Sequence, residues 1–325
     1  MENSKHFARI EQFLWKFYIK VDDANSCELW ENECLKCLEW LEKQYRLEIL
    51  QQGHGIQSLD SGGSTNSIPK RKEHRETLTL ATYNIRTMRQ EDHLEMVEQE
   101  LRQIKWDILG ICETRLKGEA RTTLRSGHLL FRNNSISNAH NGGVAIMVHR
   151  DLRHLVTKTC SISERVIYIL IRLNDRYTLQ VIQAYAPTNA AEHEEAEQFY
   201  EDLTAAKRAE NAKFIAVMGD FNAKIGPKTP TDPTNIGPYG LDSRNERGQM
   251  LLNYLGTEGL FCMNTHFKKS PQRKWTWKSP NNLVKNEIDY ILTNNKSICK
   301  DVTVLNRFDT GSDHRLVRAK ITINT

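Results

Sequence analysis

The sequence predicts an α/β protein: two packed mixed β-sheets flanked by helices, a four-layer α/β sandwich preceded by a small helical N-terminal segment. Three observations lead there. From Leu78 onward, short runs rich in Val, Ile and Leu alternate with stretches whose apolar residues recur every three or four positions, which is how strands and amphipathic helices read within one domain. The strand-like runs are too numerous for one comfortable open sheet, so two sheets packed face to face with helices outside are expected. Finally, the first part of the chain carries a helical stripe, set apart from the strands by a Gly/Ser/Asn-rich stretch.

In order, Phe7, Ile10, Leu14, Phe17 and Val21 lie on one helical face, and a second helix follows Ser26 with Leu38, Leu41 and Tyr45 on its face, so residues 1–50 read as a helical hairpin. Cys27, Cys34 and Cys37 contain one C-x-x-C, but no second pair accompanies it, and core or free cysteines are the expected reading. Residues 51–76, ending in "PKRKEHRE", read as a flexible basic linker, and residues 77–325 as the main domain. Its strands are "LTLATYNI", "WDILGI", "GGVAIMV", "VIYILIRL", "YTLQVIQAY", "KFIAVMG", "EIDYILT" and "LVRAKITI". Three helical stripes fall between them: Leu94, Val97, Leu101 and Ile104; Phe199 and Leu203; and Met250, Leu251, Tyr254 and Leu255.

Bulk properties narrow the function. No apolar run approaches the roughly 18 residues of a membrane span, and the N-terminus lacks the uninterrupted apolar core of a secretory signal, so an intracellular location is expected. The "PKRKEHR" run reads as solvated linker, a phosphate contact or a nuclear import signal, and a nuclear location is the expectation taken from it. Seven scattered cysteines fit free thiols in a reducing compartment. Residues 77–325 carry 34 Lys+Arg against 28 Asp+Glu, an excess of 6 that suits a polyanionic partner.

The informative pattern is where polar groups fall. Strand after strand ends in, or lies beside, an acid or amide: Asn84, Glu113, Asp220 with Asn222, Asp289, and Asp313 with His314, joined by Tyr185 in "QAY". Any one of these could be a turn residue; together they predict strand ends converging on one site. Four carboxylates and two amides offer hard oxygen ligands suited to Mg²⁺ or Mn²⁺, and an imidazole beside acids can have its charge set by them. Such a site meets the demands of metal-assisted phosphodiester hydrolysis.

The motifs "TYNIRT", "ICETRL", "QAYAPT", "GDFNAKIG", "WTWKSP", "EIDYIL" and "GSDHRLV" resemble, in order and spacing, the endonuclease/exonuclease/phosphatase superfamily. Within it they look most like the apurinic-type endonuclease domain of non-LTR (LINE-type) retrotransposons and craniofacial development protein 2-like sequences. The resemblance implies a Mg²⁺-dependent DNA endonuclease that nicks the backbone and leaves a 3′-hydroxyl. It implies Glu113 as the principal metal ligand, with Asn84 beside it and Asp313 assisting. Asp289 would orient His314 toward the scissile phosphate, with Thr276 supporting His314 from behind. Asp220, aided by Asn222, would activate water, and Tyr185 would bond a phosphate oxygen. Tyr83 stands where many relatives carry Trp, and Thr188 where some repair enzymes carry Asn, which favours the retroelement branch.

For DNA contact the candidates are Arg86, Arg115, Lys117, Arg244, Arg247 and, as stacking or wedging groups, Trp275 and Trp277. Two other readings keep part of this pattern: a lipid or small-molecule phosphoesterase sharing the site, and a domesticated non-catalytic scaffold whose N-terminal hairpin binds a protein partner.

Overall fold

The computed structural model describes residues 75–135 and 142–324. The expected helical hairpin over 1–50, its cysteines and nearly all of the 51–76 linker lie outside the described residues. Strand β1 (Arg75–Asn84) starts two residues inside the stretch read as linker. Its ladder with the last strand runs out to Arg75↔Asn324, and backbone pairing outweighs the polar composition there.

Two sheets form the centre. The first has seven strands: β1, β2 (Ile108–Cys112), β3 (Ala120–Thr123), β4 (Leu129–Asn133), β5 (Val144–Val148), β14 (Cys299–Leu305) and β15 (Leu316–Asn324), in the order β14-β15-β1-β2-β5-β4-β3. The second has six: β6 (Val156–Ser161), β7 (Val166–Arg172), β8 (Thr178–Tyr185), β9 (Phe214–Asp220), β10 (Phe261–Cys262) and β13 (Asp289–Thr293), in the order β10-β13-β9-β8-β7-β6. β11 (Trp277–Lys278) and β12 (Lys285–Asn286) form a separate hairpin. The sheets are mixed because β1/β2 and β8/β9 run parallel while the other pairs are antiparallel. A parallel pair needs a crossover, and a helix fills each: α1 (Glu91–Leu101) and α2 (His193–Arg208). A third helix, α3 (Glu246–Glu258), follows β9.

The period-2 alternation of the strands sorts side chains into three cores. Leu78 and Leu80 of β1, Ile146 and Val148 of β5, and Ile169, Val181 and Met218 of the second sheet meet between the sheets. Ala81 and Tyr83 point the other way, against Val97 and Leu101 of α1. On the far side Tyr168, Ile182 and Val217 pack on Phe199 and Leu203 of α2 and Leu251 and Leu255 of α3. Helix, sheet, sheet and helices therefore stack as four layers, as the sequence predicts. Ile104 falls just beyond α1, and Met250 is half-buried where its stripe predicts core.

The second and third helices are fixed by local polar contacts. The Asn245 side chain caps α3 by accepting the Gly248 N–H at 2.8 Å, and Gly259, with φ 64°, ends the helix in the left-handed region. Lys207 and Arg208 close α2 and both grip the buried Glu258 at the end of α3, at 2.9 and 2.8 Å, tying the two helices together. No helix among the described residues is long and apolar enough to cross a membrane.

Candidate active site

The topology brings the predicted polar groups to one end of the sandwich. Two parallel pairs deliver Asn84 with Glu113, and Tyr185 with Asp220, because parallel strands end on the same side. The antiparallel partners arrive from the opposite direction: Asp289 opens β13 directly across from Asp220, and His314 precedes β15, whose Val317 pairs with Thr82. A cleft of about 290 Å³ results, lined among others by Glu113, Tyr185, Asp220, Asn222, Asp313 and His314.

The chain leaves these strands through strained turns. Arg86, Glu113, Arg115 and Asn222 all have left-handed backbone, with φ of 66°, 55°, 54° and 46°. Each such non-glycine conformation costs on the order of 1–3 kcal/mol, so the surrounding bonds must hold it. Gly219, before Asp220, has φ 153°, and a Cβ there would sit 1.8 Å from the Ala184 carbonyl oxygen. The first residue of "GDFN" is thus a glycine because β8 passes too close for any side chain.

Asn84 is the hub. Its amide nitrogen donates to Glu113 Oε1 and to Asp220 Oδ2, each at 2.9 Å, while its Oδ1 accepts the Arg86 N–H. Both ends of the amide are therefore engaged, and Asn84 joins the two carboxylates where the sequence suggested a metal ligand. Tyr185 also serves Glu113, donating its hydroxyl to Oε1 at 3.0 Å, and burial keeps that phenol protonated. Glu113 Oε2 meets Arg115 Nη2 at 3.2 Å. Asp220 Oδ1 accepts the Asn222 N–H at 2.9 Å, and the Asn222 amide donates to the Ala186 carbonyl.

On the other side, His314 Nδ1 lies 3.0 Å from Asp289 Oδ2, and Nε2 lies 3.8 Å from Asp220 Oδ2. Burial works against the imidazolium, but the Asp289 charge and hydrogen bond prevail and raise His314 to about 9. Burial, followed by the Asp289 charge, raises Asp220 to about 7. Thr276 reaches His314 indirectly: its hydroxyl accepts the N–H groups of Ile288 and Asp289, at 3.0 and 3.1 Å, and so fixes the start of β13. Sequence reasoning missed Ser312, which donates to the Asn84 carbonyl at 2.7 Å and accepts the His314 N–H at 3.1 Å. That serine stitches the terminal Ser-Asp-His segment onto the end of β1, and its place in "GSDH" was the available signal.

The donor set fits a hard divalent cation. Among the described residues carboxylate and amide oxygens predominate and no thiol lines the cleft; the buried Asp289 Oδ1 has no hydrogen-bond donor, and Asp313 Oδ1 has only the Arg86 guanidinium 3.6 Å away. Buried anionic oxygens without donors mark a shortage of positive charge. Among the described residues, Asp220, Asp289 and His314 form a tight group with potential ligand atoms within 4.8 Å of one another. His314 is held there as an imidazolium, which has no lone pair for a metal, so Glu113 and Asp313 are the better-placed holders.

The DNA-contact candidates divide. Arg86 lines the cleft with a 57% exposed side chain, its Nε 3.6 Å from Asp313 Oδ1. Trp277 lines it too and donates to Asp313 Oδ2 at 3.1 Å. Lys117 is exposed beyond the lining, and Arg115 is held by Glu113. Three candidates are corrected. Arg244 grips Asp232 through two nitrogens, at 2.8 and 2.6 Å, and donates to the Ile225 carbonyl, which makes it a loop clamp. Arg247 donates to the Ala191 carbonyl at 2.6 Å, fastening α3 to the loop before α2. Trp275 is buried with the Arg315 guanidinium 3.1 Å from its ring centroid and cannot stack on a base. Lys224, Asn189 and Asn245 line the cleft and were not anticipated.

The sequence model of the Endonuclease/Exonuclease/phosphatase family matches residues 81–314. Craniofacial development protein 2 of Bos taurus is 31% identical over 273 residues, 83% of this chain and 45% of the relative. The protein of that name from Tragulus javanicus is 31% identical over 249 residues, 76% of this chain and 42% of the relative. The chain thus spans under half the length of the curated relatives it matches. Among solved structures, a 3′ phosphatase, NExo, from Neisseria bound to product DNA hairpin is similar with a TM-score of 0.56 and 18% identity, covering 75% of this chain and 99% of that one. The endonuclease domain of TRAS1, a telomere-specific non-LTR retrotransposon, gives 0.54 and 17%, covering 76% and 98%. At these identities the structural likeness establishes the fold.

Proposed function

Because the chain belongs to the endonuclease/exonuclease/phosphatase family, we propose that it is a metal-dependent phosphodiesterase, a DNA endonuclease that nicks one strand and leaves a 3′-hydroxyl in the manner of retrotransposon target-site nicking. The observation that carries this reading is the run of bonds from the half-buried Glu113 through the buried Asn84 to Asp220, with His314 and Asp289 closing the other side. The Neisseria enzyme bound to its product DNA hairpin and the TRAS1 endonuclease domain support the choice of substrate. So does the excess of 6 positive charges over residues 77–325.

In this reading Asp220, at about 7, takes the proton of the attacking water near neutrality. Asn222 and the Asn84 amide hold that carboxylate in place. His314, charged at neutral pH, faces the phosphoryl oxygens and offsets the charge that builds on them as the P–O3′ bond breaks. Asp289 keeps the imidazolium oriented, and Thr276 keeps Asp289 oriented. Glu113 and Asp313 would hold a divalent cation, Mg²⁺ or Mn²⁺, which would supply positive charge for the phosphoryl and departing oxygens.

The test is nicking of supercoiled plasmid by the purified full chain with Mg²⁺ or with EDTA, beside Asp220→Ala. Mg²⁺-dependent nicks bearing 3′-hydroxyl ends, from the wild type alone, support the reading. Folded protein that leaves the plasmid intact refutes it.

A further inference from the structure

The cleft has two unlike walls. Glu113, Asp313 and Arg86 form one, where the cation is already matched by an acid. The other is made by the turns after β8 and β9 and by the start of α3, and carries Asn189, Lys224 and Asn245 with no carboxylate among them. Lys224 is half-buried, and its ammonium makes no ion pair or hydrogen bond with any described residue. An ammonium left unmatched inside a polar cleft is short of an anion.

The backbone beneath that ammonium is firmly mounted. The Lys224 N–H donates to Asn245 Oδ1 at 2.9 Å, and its carbonyl accepts the Asn245 N–H at 3.1 Å. Gly248 lets the same carbonyl lie flat on the first turn of α3, where a Cβ would approach to 1.8 Å. Asn245 Oδ1 accepts from both Lys224 and Gly248, which fixes the amide, and its nitrogen has no partner among the described residues. A cap, a glycine and a reciprocal backbone pair thus fix the Lys224 backbone and the Asn245 amide on one wall, from which Asn245 Nδ2 and, on its flexible stem, Lys224 Nζ are offered as donors. Rigid mounting with unspent donors is the arrangement of a preorganised anion contact.

We propose that Lys224 and Asn245 form a second phosphate subsite, which takes a non-scissile backbone phosphate of the nucleic acid strand whose scissile phosphate faces His314. This assignment rests on the phosphodiesterase reading above. Lys224 acts in binding and register, and takes no part in proton transfer.

The experiment measures binding of the full chain to a short fluorescein-labelled DNA duplex in EDTA, from about 50 to about 200 mM salt, for wild type, Lys224→Met, Lys224→Arg and Lys213→Met. Lys213 is an exposed lysine at the opposite end of β9. Lys224→Met is expected to weaken binding about fivefold and to reduce the slope of log Kd against log salt by about one, while Lys224→Arg and Lys213→Met keep the wild-type slope. An unchanged slope for Lys224→Met, an equal loss in Lys213→Met, or no binding by the wild type would overturn the subsite. A Lys224-dependent slope in a protein that fails to nick plasmid would leave the subsite standing and remove the endonuclease reading.

Discussion

Asp289 stands directly opposite Asp220 in the β9–β13 ladder, two buried carboxylates at one register position. Facing residues of an antiparallel pair share a side of the sheet, so their charges are forced together. Two buried carboxylates that close cannot both ionise freely. The fold answers with His314, which bonds to Asp289 and faces Asp220.

Asp289→Asn should expose how much the site owes to that arrangement. Burial already opposes the imidazolium, and the substitution deletes the charge that most strongly counters it. His314 should titrate well below its present value of about 9, and kcat should fall about 10²- to 10⁴-fold. The alkaline limb of the rate profile should move to lower pH with it. NMR titration of the imidazole checks the first point; an unmoved His314 resonance would show that Asp289 is not its controlling partner.

Asp220 predicts a conflict between stability and activity. Its carboxyl is raised from 3.8 to about 7, so the folded state prefers the proton more than the unfolded state does. That preference stabilises fully below pH 3.8 and is lost as pH rises through about 7. Asp220→Asn, neutral at every pH, should abolish turnover yet melt several degrees above wild type at about pH 8, with the difference shrinking toward pH 4. Calorimetry across pH tests this; a pH-independent difference would mean that Asp220 is not strained when ionised.

Much of this was legible in the sequence, and the limits have physical causes. Strand-end polar residues and period-2 alternation give the sheets and the positions of Asn84, Glu113, Asp220, Asp289 and His314. β3 and β6 were missed because edge strands tolerate polar faces: "ARTT" is largely exposed, and "VTKTCS" is only half-buried beyond Val156. β14 was missed as well: Cys299, Val302 and Val304 are its buried positions, but a bulge after Cys299 breaks the alternation. Roles at the site needed coordinates. Sequence shows that Arg244 and Trp275 are near the motifs; only packing shows that Asp232 and Arg315 have already claimed them.

Gly219→Ala isolates a backbone requirement. The new methyl would lie 1.8 Å from the Ala184 carbonyl oxygen in a strand flanked on both sides, so neither strand can yield without breaking its ladder. A loss of about 3 kcal/mol or more is expected, or about 6–12 °C in Tm. A melting point within a degree of wild type would show that β8 and β9 can part locally without loss of stability.

Thr276→Val keeps shape and removes the hydroxyl that accepts two buried N–H groups. Leaving these unsatisfied should cost about 1–3 kcal/mol. Asp289 then loses its anchor, so kcat should fall about 10- to 100-fold with KM nearly unchanged, and Thr276→Ser should restore it. If Val lowers stability without touching kcat, the threonine is structural and its link to His314 falls away.

Cation binding can be tested without turnover. Asp313 Oδ1 is buried with no hydrogen-bond donor and only the Arg86 guanidinium 3.6 Å away, and Glu113 contributes further negative charge at the rim. A divalent cation that relieves this crowding must stabilise the folded state by mass action, by about 1.4 kcal/mol at ten times its Kd. That corresponds to about 3–6 °C in Tm, reversed by EDTA. Glu113→Gln should abolish the Mg²⁺-dependent rise and Asp313→Asn should reduce it, because each removes a charge from the proposed holders. Asp289→Asn should leave it largely intact, since that carboxylate is engaged by His314. A rise that survives Glu113→Gln and disappears in Asp289→Asn would instead place the cation among Asp220, Asp289 and His314, and would require the imidazole to be neutral when the metal is bound.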